Sequence, residues 1–487
     1  MLLTSAYPQG IPAAMFEFMS DNTEDNGVVY NYRYDWVQEA YRYETISLTS
    51  YDTPHGVWER YYKAAITANT ALVACDELEA QGHDMSAHRA EARMTRAWAH
   101  FLLVNTFCQA YNTQSSETDL GIPYITEPIT NVFAHFERGT VKEVWDKINE
   151  DIEAALPDID DGLYEIPKNH FNRKAAYCFA AEFNLFYGNY DKAIEYAQVV
   201  LGLKPQNQMR DMEALNKAGT ASLIRNGYID YKADCNLMIM SVYSQWGRSH
   251  TNGSYARYAQ NRRICYGATH RSPGPWSGKD SQGRYNATYL SYYNNYSKDD
   301  ILAYYPKMTE IFETTDPTLN TGYTHVVWVP FTVEKALLAR AEAYLMKGMI
   351  DAAADDLILW YKSKTSNDIS LSPDEIIEYY RGYIIVGNEE EVYTGAEYGL
   401  QKFDLNPRFE LSEGDQTYMA LAILHARRIE FVHEGWRWLD LKRYGISVTH
   451  NQDRQADLIL EPWDKRFAIQ LPLMVLAAGM EPNPRDN

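Results

Sequence analysis

Residues 427–445, RRIEFVHEGWRWLDLKRYG, place four arginines, a lysine, three acids, two tryptophans and a tyrosine within nineteen positions. Such a stretch could grip a phosphate backbone, form a catalytic cluster, or clamp helices together. Spacing favours the clamp. On a helix running up to Gly435, Arg427 stands three residues before Glu430, and Glu430 four before Glu434. Beyond a turn at Gly435, Arg437 and Asp440 are three apart, as are Asp440 and Arg443. Those separations bring side chains together on a helix surface, so the bases and acids can neutralise one another or their packing partners. Glu430, Glu434 and Asp440 oppose phosphate binding, while Trp436, Trp438, Leu439 and Leu441 supply an apolar anchor. As an active site the stretch lacks a nucleophile with a fixed base, and His433 reads as an ordinary surface histidine. A partner contact is the other alternative. Arg428, Glu430, Glu434, Gly435, Arg437, Asp440 and Arg443 are therefore read as a structural motif.

A second set of residues could bind rather than react. The chain holds 39 tyrosines and 11 tryptophans against 16 phenylalanines. Tyrosine and tryptophan join an apolar face to a polar tip, as surfaces that meet sugars or peptides need; filling gaps between helices is the plainer alternative. From Tyr243 to Tyr305, eleven tyrosines and two tryptophans occur without a phenylalanine, and helical periodicity gives way to Gly, Ser, Asn and Pro. That is loop and short-strand chemistry, and loops on a rigid frame are where binding residues collect. Trp276, in SPGPWSGKD, and Tyr285, Tyr289, Tyr292 and Tyr293 are the leading ligand candidates, with Trp246 and Tyr255 behind them. The N-terminal VVYNYRYDW (28–36) adds Tyr32, Tyr34 and Trp36 from a loop-like region, although alternating aromatics also suit a buried strand face. Between Tyr243 and Arg284, seven basic residues (Arg248, Arg257, Arg262, Arg263, Arg271, Lys279, Arg284) accompany a single acid, Asp280. A local positive field of this kind can draw in an anionic ligand such as a uronic-acid or sulfated glycan, with Arg262 and Arg263 as contacts. Pairing with scaffold acids, or facing a partner protein, would use the same arginines differently.

The elements that must position these residues are mostly helices. YYKAAITANTALVACDELEA (61–80) and HRAEARMTRAWAHFLLVNTFCQAY (88–111) carry apolar residues at helical spacing. Thr140 with Glu143, and Ser372-Pro373 with Glu375, form helix-opening capping boxes, and Pro157 stops the first of these helices. An internal repeat is more telling. Ala181, Gly188, Tyr190, Ala193 and Pro205 fall on the small, turn, aromatic, small and stop positions of a tetratricopeptide unit. Ala341, Tyr344, Gly348, Ile350 and Ala353 repeat the register. Such pairs need neighbours, and 61–80 with 88–111 make another. The expected fold is mainly α: a tetratricopeptide-like helix-pair scaffold with an irregular, loop-rich face. It forms a single compound domain over 1–487, with scaffold at about 55–205 and 331–445, a loop-rich insert at about 206–330, and an N-terminal loop region at 1–54.

Bulk properties narrow the function further. A net charge of -21 over 487 residues argues against a general binder of nucleic acid or anionic membrane. The five cysteines never form a C-x-x-C pair and read as buried free thiols. The apolar run at 471–480 is too short to span a bilayer. The opening MLLTSAYPQG lacks a basic and apolar leader, so the chain is cytosolic or a targeting segment has been removed. No H-E-x-x-H, G-x-S-x-G or phosphate-binding glycine loop occurs, and the adjacent Asp299 and Asp300 diverge too far to act as a glycoside-hydrolase pair. No catalytic residue, metal or cofactor is expected.

ARRIEFVHEGWRWLDLKRYG is also similar to the C-terminal signature of the SusD/RagB family, the nutrient-binding lipoproteins of Bacteroidetes outer membranes. RAEARMTRAWAHFLLVNTFCQAY followed by DLGIPY resembles that family's R-A-x-x-x-F-x-L helix and its continuation. YYKAAITANTAL resembles its Y-x-x-I-x-x-A-N helix. The ending FAIQLPLMVLAAGMEPNPRDN looks like its P-I-P…N-P tail, with Gln470-Leu471-Pro472 departing from the usual spelling. The resemblance spans roughly residues 60–487. It implies four tetratricopeptide-like helix pairs and a non-catalytic protein. That protein would capture oligosaccharides, less often peptides, and deliver them to a SusC-like TonB-dependent outer-membrane transporter. It also implies lipid anchoring through a cysteine that this sequence does not contain. The alternatives are a peptide-binding member of the same family or a tetratricopeptide-like protein-interaction scaffold.

Overall fold

Small residues at helix contacts and glycine in the turns set the scaffold. The computed structural model describes residues 7–129, 136–251, 253–279, 285–286, 294–295, 302–365, 370–382 and 404–485. Helices Arg173–Tyr187 and Tyr190–Leu201 form one repeat, and Val333–Met346 with Ile350–Lys364 the other. Ala181, Ala193, Ala341 and Ala353 are fully buried where the helices meet. Gly188 and Gly348 turn the chain at φ of +84° and +73°, a region that L side chains avoid. A Cβ at either position would meet nothing, so backbone conformation alone calls for glycine. The Val333–Met346 helix packs on both helices of the first repeat.

Two further antiparallel pairs complete the frame. Pro54–Glu79 lies against Ser86–Phe107, which also carries Val141–Ala155, and Pro373–Gly382 lies against Asp415–Glu430. Both capping boxes form: Thr140 Oγ1 accepts from Glu143 N at 3.2 Å and Ser372 Oγ from Glu375 N at 3.3 Å, with each glutamate reaching back to the cap nitrogen. The Ser86–Phe107 helix stops earlier than its periodicity suggests. Buried Lys442 donates from Nζ to the carbonyls of Asn105 and Cys108, both at 2.7 Å, and so takes over acceptors at the helix end. All five cysteines are buried free thiols.

Between the repeats, strand Asn236–Val242 pairs antiparallel with Thr321–Thr332, which pairs in turn with Ile311–Asp316. The inner end of this sheet is core: Trp328 stacks on Trp98 at 5.5 Å, and Phe331 packs on the same ring. The outer end of the 311–325 hairpin exposes Phe312, Leu319 and Tyr323. The N-terminal region differs from a loop. It contains helices Ala13–Met19 and Asp35–Tyr41, the first of them wholly buried. Residues 24–25 pair with 258–259 of the insert, so the two irregular regions meet.

Candidate functional site

The 427–445 stretch is a buried clamp. One helix ends at Glu430, residues 431–435 turn, and Trp436–Tyr444 forms the next helix. Most of the close charge pairs reach across the fold. Arg427 Nε meets Asp440 at 2.9 Å, and Arg443 meets Glu342 at 2.5 Å, with only Asp440–Arg443 formed between neighbours, at 3.4 Å. Arg428 and Arg437 both grip Asp21, at 3.2 and 2.7 Å. Glu430 pairs with Lys364 at 3.1 Å and Glu434 with Lys307 at 2.8 Å. Burial alone would raise the Asp21 carboxyl, but Arg428 and Arg437 outweigh it and hold it at about 2. Gly435 sits at φ +81°, and a Cβ there would come within 2.8 Å of Ala13 Cα. The N-terminal helix therefore needs glycine at that position. His433 departs from the surface reading: it is 1% exposed, and its ring accepts from Tyr305 N at 3.1 Å. Tight packing in the turn, at a φ of +69°, draws it inward.

Several aromatic ligand candidates are likewise interior. Trp276 has no exposed surface and lies edge-on to Trp360 at 5.4 Å and stacked on His425 at 5.6 Å. The glycine that suggested an exposed loop instead lets the indole fold inward, since a Cβ at Gly274 would strike its ring at 2.3 Å. Trp246 is 3% exposed and donates from Nε1 to His433 O at 2.9 Å. Trp36 is fully buried on the Asp35–Tyr41 helix. These three are packing residues. The side chain of Tyr285, and Tyr289, Tyr292 and Tyr293 altogether, lie outside the described residues.

The basic cluster is partly neutralised. Arg248 pairs with Glu310 at 2.8 Å, Arg257 with Asp25 at 3.2 Å, and Arg263 with Glu24. Arg262 lies over Tyr266. Scaffold pairing, one of the alternatives raised by the sequence, thus accounts for at least three of the seven. Tyr32 is half-buried against Tyr258 and donates to Gln38. Tyr34 and Tyr255 stay half-exposed with the Arg33 guanidinium over both rings, at 5.6 and 5.2 Å.

Sequence reasoning missed an open row of stacked aromatics. Tyr51 and Tyr243 stack at 5.4 Å, with Tyr323 at 6.3 Å from Tyr243. Tyr51 and Tyr323 are 42% and 38% exposed, and Tyr243 is half-exposed. Arg60 lies 4.3 Å over the Tyr51 ring and 5.5 Å from that of Tyr243. Three distant segments hold this row rigid. Asp52 accepts from Ser244 Oγ and Gln245 N, both at 2.7 Å, fastening the Tyr51 turn to the Tyr243 strand end. Burial lifts the Asp52 carboxyl to about 6. Gly56 lets that turn lie flat on its helix, because a Cβ there would sit 2.2 Å from Ser50 O. Arg248 props the hairpin through Glu310 and through Thr324 Oγ1 at 3.0 Å, and Tyr323 donates to Glu313 at 2.8 Å. Planar apolar surfaces beside fixed donors and acceptors suit a flat ligand rich in hydroxyls. Among the described residues a tight Ser–His contact, Ser272 to His425 at 2.7 Å, is buried and directed at Tyr380 rather than a carboxylate. Among the described residues no cluster of His, Cys, Asp and Glu is placed to hold a metal, and no helix is long and apolar enough to cross a membrane.

A helix-pair scaffold with an aromatic face built from its irregular segments is a fold that comparison can place. Residues 1–185 match a SusD-like family model described as starch-binding and associating with the outer membrane. Among curated proteins no sequence matches. Solved structures share the fold along the chain. A SusD superfamily protein from Bacteroides vulgatus superposes with a TM-score of 0.63 at 17% identity, covering 100% of this chain and 97% of its own. One from Bacteroides thetaiotaomicron gives 0.62 at 16%, covering 99% and 98%. Surface glycan-binding protein A from Bacteroides fluxus gives 0.55 at 17%, covering 100% and 97%. The N-terminal 185 residues thus resemble the SusD-like family, and the fold of the whole chain is that of the SusD superfamily structures.

Proposed function

We propose that this chain is a cell-surface glycan-binding protein that captures oligosaccharides on the Tyr51–Tyr243–Tyr323 row. The exposed, rigidly supported stack of those rings beside Arg60 carries the reading. Sugar rings present C–H faces to aromatic surfaces and hydroxyls to neighbouring polar groups, and the row offers both. Tyr34, Arg33 and Tyr255 extend the same chemistry toward the insert. The family description supports association with the outer membrane. Anchoring through an N-terminal lipid and hand-over to a SusC-like TonB-dependent transporter complete the proposal. Its role is capture rather than catalysis. An acidic glycan is the narrower form of the idea. Ion pairs at Arg248, Arg257 and Arg263 weaken it, while Arg60, stacked on exposed tyrosines, favours it.

Titration calorimetry against neutral and acidic polysaccharides tests both forms. One glycan class should bind, Tyr243→Ala should abolish most of that binding, and the glycan should be recovered uncleaved. Salt-sensitive binding that Arg60→Gln weakens would support the acidic form. Failure of every glycan to bind folded protein would sink the proposal.

A further inference from the structure

Where the insert meets the second repeat and the clamp, the interior holds a cavity of about 40 Å³. Each water needs roughly 10–15 Å³ of such space, so the cavity has room for a few waters or one small ion. Its polar lining comes from Arg210, Tyr305, Lys307, Lys364, His270 and Glu430. All six are at least nine-tenths buried.

Two of them present unanswered hydrogens. The Tyr305 hydroxyl and the Arg210 Nε–H have no hydrogen-bond partner. Arg210 uses its other nitrogens on Tyr228 O at 2.8 Å and Asn236 Oδ1 at 2.6 Å, neither of which is charged. Its guanidinium lies 3.8 Å from the centre of the Tyr228 ring. Lys307 meets Glu434 at 2.8 Å, and Lys364 meets Glu430 at 3.1 Å and Glu334 at 3.3 Å. Glu430, the carboxylate among the lining residues, already accepts from Trp360 Nε1 at 2.9 Å. Of the residues that face the cavity three are cations and one is a carboxylate, with Glu434 and Glu334 completing the ion pairs of Lys307 and Lys364 from behind the lining. Glu334 and Glu430 lie close enough to offset the Arg210 charge, but native interiors rarely leave buried donors without a hydrogen bond. A water could accept from both donors but would need acceptors for its own hydrogens. An anion accepts from both and needs none.

We propose that this cavity is a binding site for one small monovalent anion of chloride size. It accepts from Arg210 Nε–H and the Tyr305 hydroxyl, with Lys307 and Lys364 providing further positive charge. The ion would tie the insert to the scaffold, independently of any glycan at the surface row.

Crystals of the full chain in sodium bromide, measured at the bromine absorption edge, should show an anomalous peak between Arg210 and Tyr305. In solution, the unfolding temperature should be higher in sodium chloride than in sodium gluconate at equal ionic strength. The increment should saturate at millimolar chloride. Tyr305→Phe should raise the half-saturating chloride concentration several-fold. A cavity that refines as water with no bromide peak overturns the proposal. So does a bromide peak without a saturating chloride increment, which would mean binding at crystal concentration only, or an increment that Tyr305→Phe leaves unchanged.

Discussion

The clamp at 427–445 and the row at Tyr51, Tyr243 and Tyr323 use the same side-chain chemistry to opposite ends. Both set arginines beside aromatic rings. In the clamp, Arg427 and Arg437 are almost wholly buried and each is tied to a carboxylate. In the row, Arg60 rests on tyrosines that remain exposed. Desolvation decides the difference: a buried guanidinium must have its charge answered within the fold, whereas the half-exposed Arg60, held by Gln9 O at 3.2 Å, keeps part of its fork open to a ligand. Residue type and local density of charge therefore do not distinguish a structural element from a binding face. Burial does.

That contrast can be broken most forcefully at Asp440. Asp440→Ala leaves Arg427 and Arg443 short of a buried partner and should destabilise the chain by about 3–5 kcal/mol, read from denaturant unfolding. Trp276→Ala should come next, with a loss of about 3 kcal/mol from an unfilled core site, while glycan affinity of the folded fraction stays unchanged. An affinity loss there without a stability loss would return Trp276 to the ligand face. Tyr243→Ala should do the reverse, weakening glycan binding about tenfold, or 1.4 kcal/mol, at little cost in stability. Gly188→Ala should cost about 1 kcal/mol, from strain at positive φ, and leave binding intact.

The smallest effect sharpens the comparison through pH. Burial lifts the Glu17 carboxyl to about 7, against the hydrogen bonds it accepts from Gly435 N and Asn22. The folded chain then holds a proton that the unfolded chain releases between about pH 4.5 and 7, so this group makes stability fall as pH rises through that window. Asp21 acts oppositely: its stabilisation is present above about pH 4 and is lost as pH falls toward 2. Glu17→Gln should flatten the first slope in a melting-temperature profile and leave the second.

How much of this was legible in the sequence follows from how far apart the participating residues lie. Ala181, Gly188 and Ala193, repeated at Ala341, Gly348 and Ala353, act within one helix pair, so their spacing alone shows the scaffold. The motif stretch declared its clamp role because its acids and bases are interleaved. Its partners Asp21, Glu342, Lys307 and Lys364 were invisible, being brought in by tertiary packing. Tyr51, Tyr243 and Tyr323 escaped notice because each comes from a separate segment and is one of 39 tyrosines. Trp276 misled because SPGPW has the composition of an exposed turn, yet Gly274 serves to admit the indole to the interior.

The seat of the N-terminal helix on the clamp bears on how the chain folds during synthesis. Glu17 accepts from Gly435 N across 418 residues, and Asn22 receives Arg428 Nε across 406. Phe18 can meet Trp36 and Trp246 earlier, but the contacts to Gly435 and Arg428 come only with the late segment. The helix at 13–19 is made long before residues near 435, and its burial stays incomplete until they have left the ribosome. The repeats between them can form locally meanwhile, so the last step is a ring closure that joins beginning to end. Until it occurs the apolar face of residues 13–19 is available to holding chaperones.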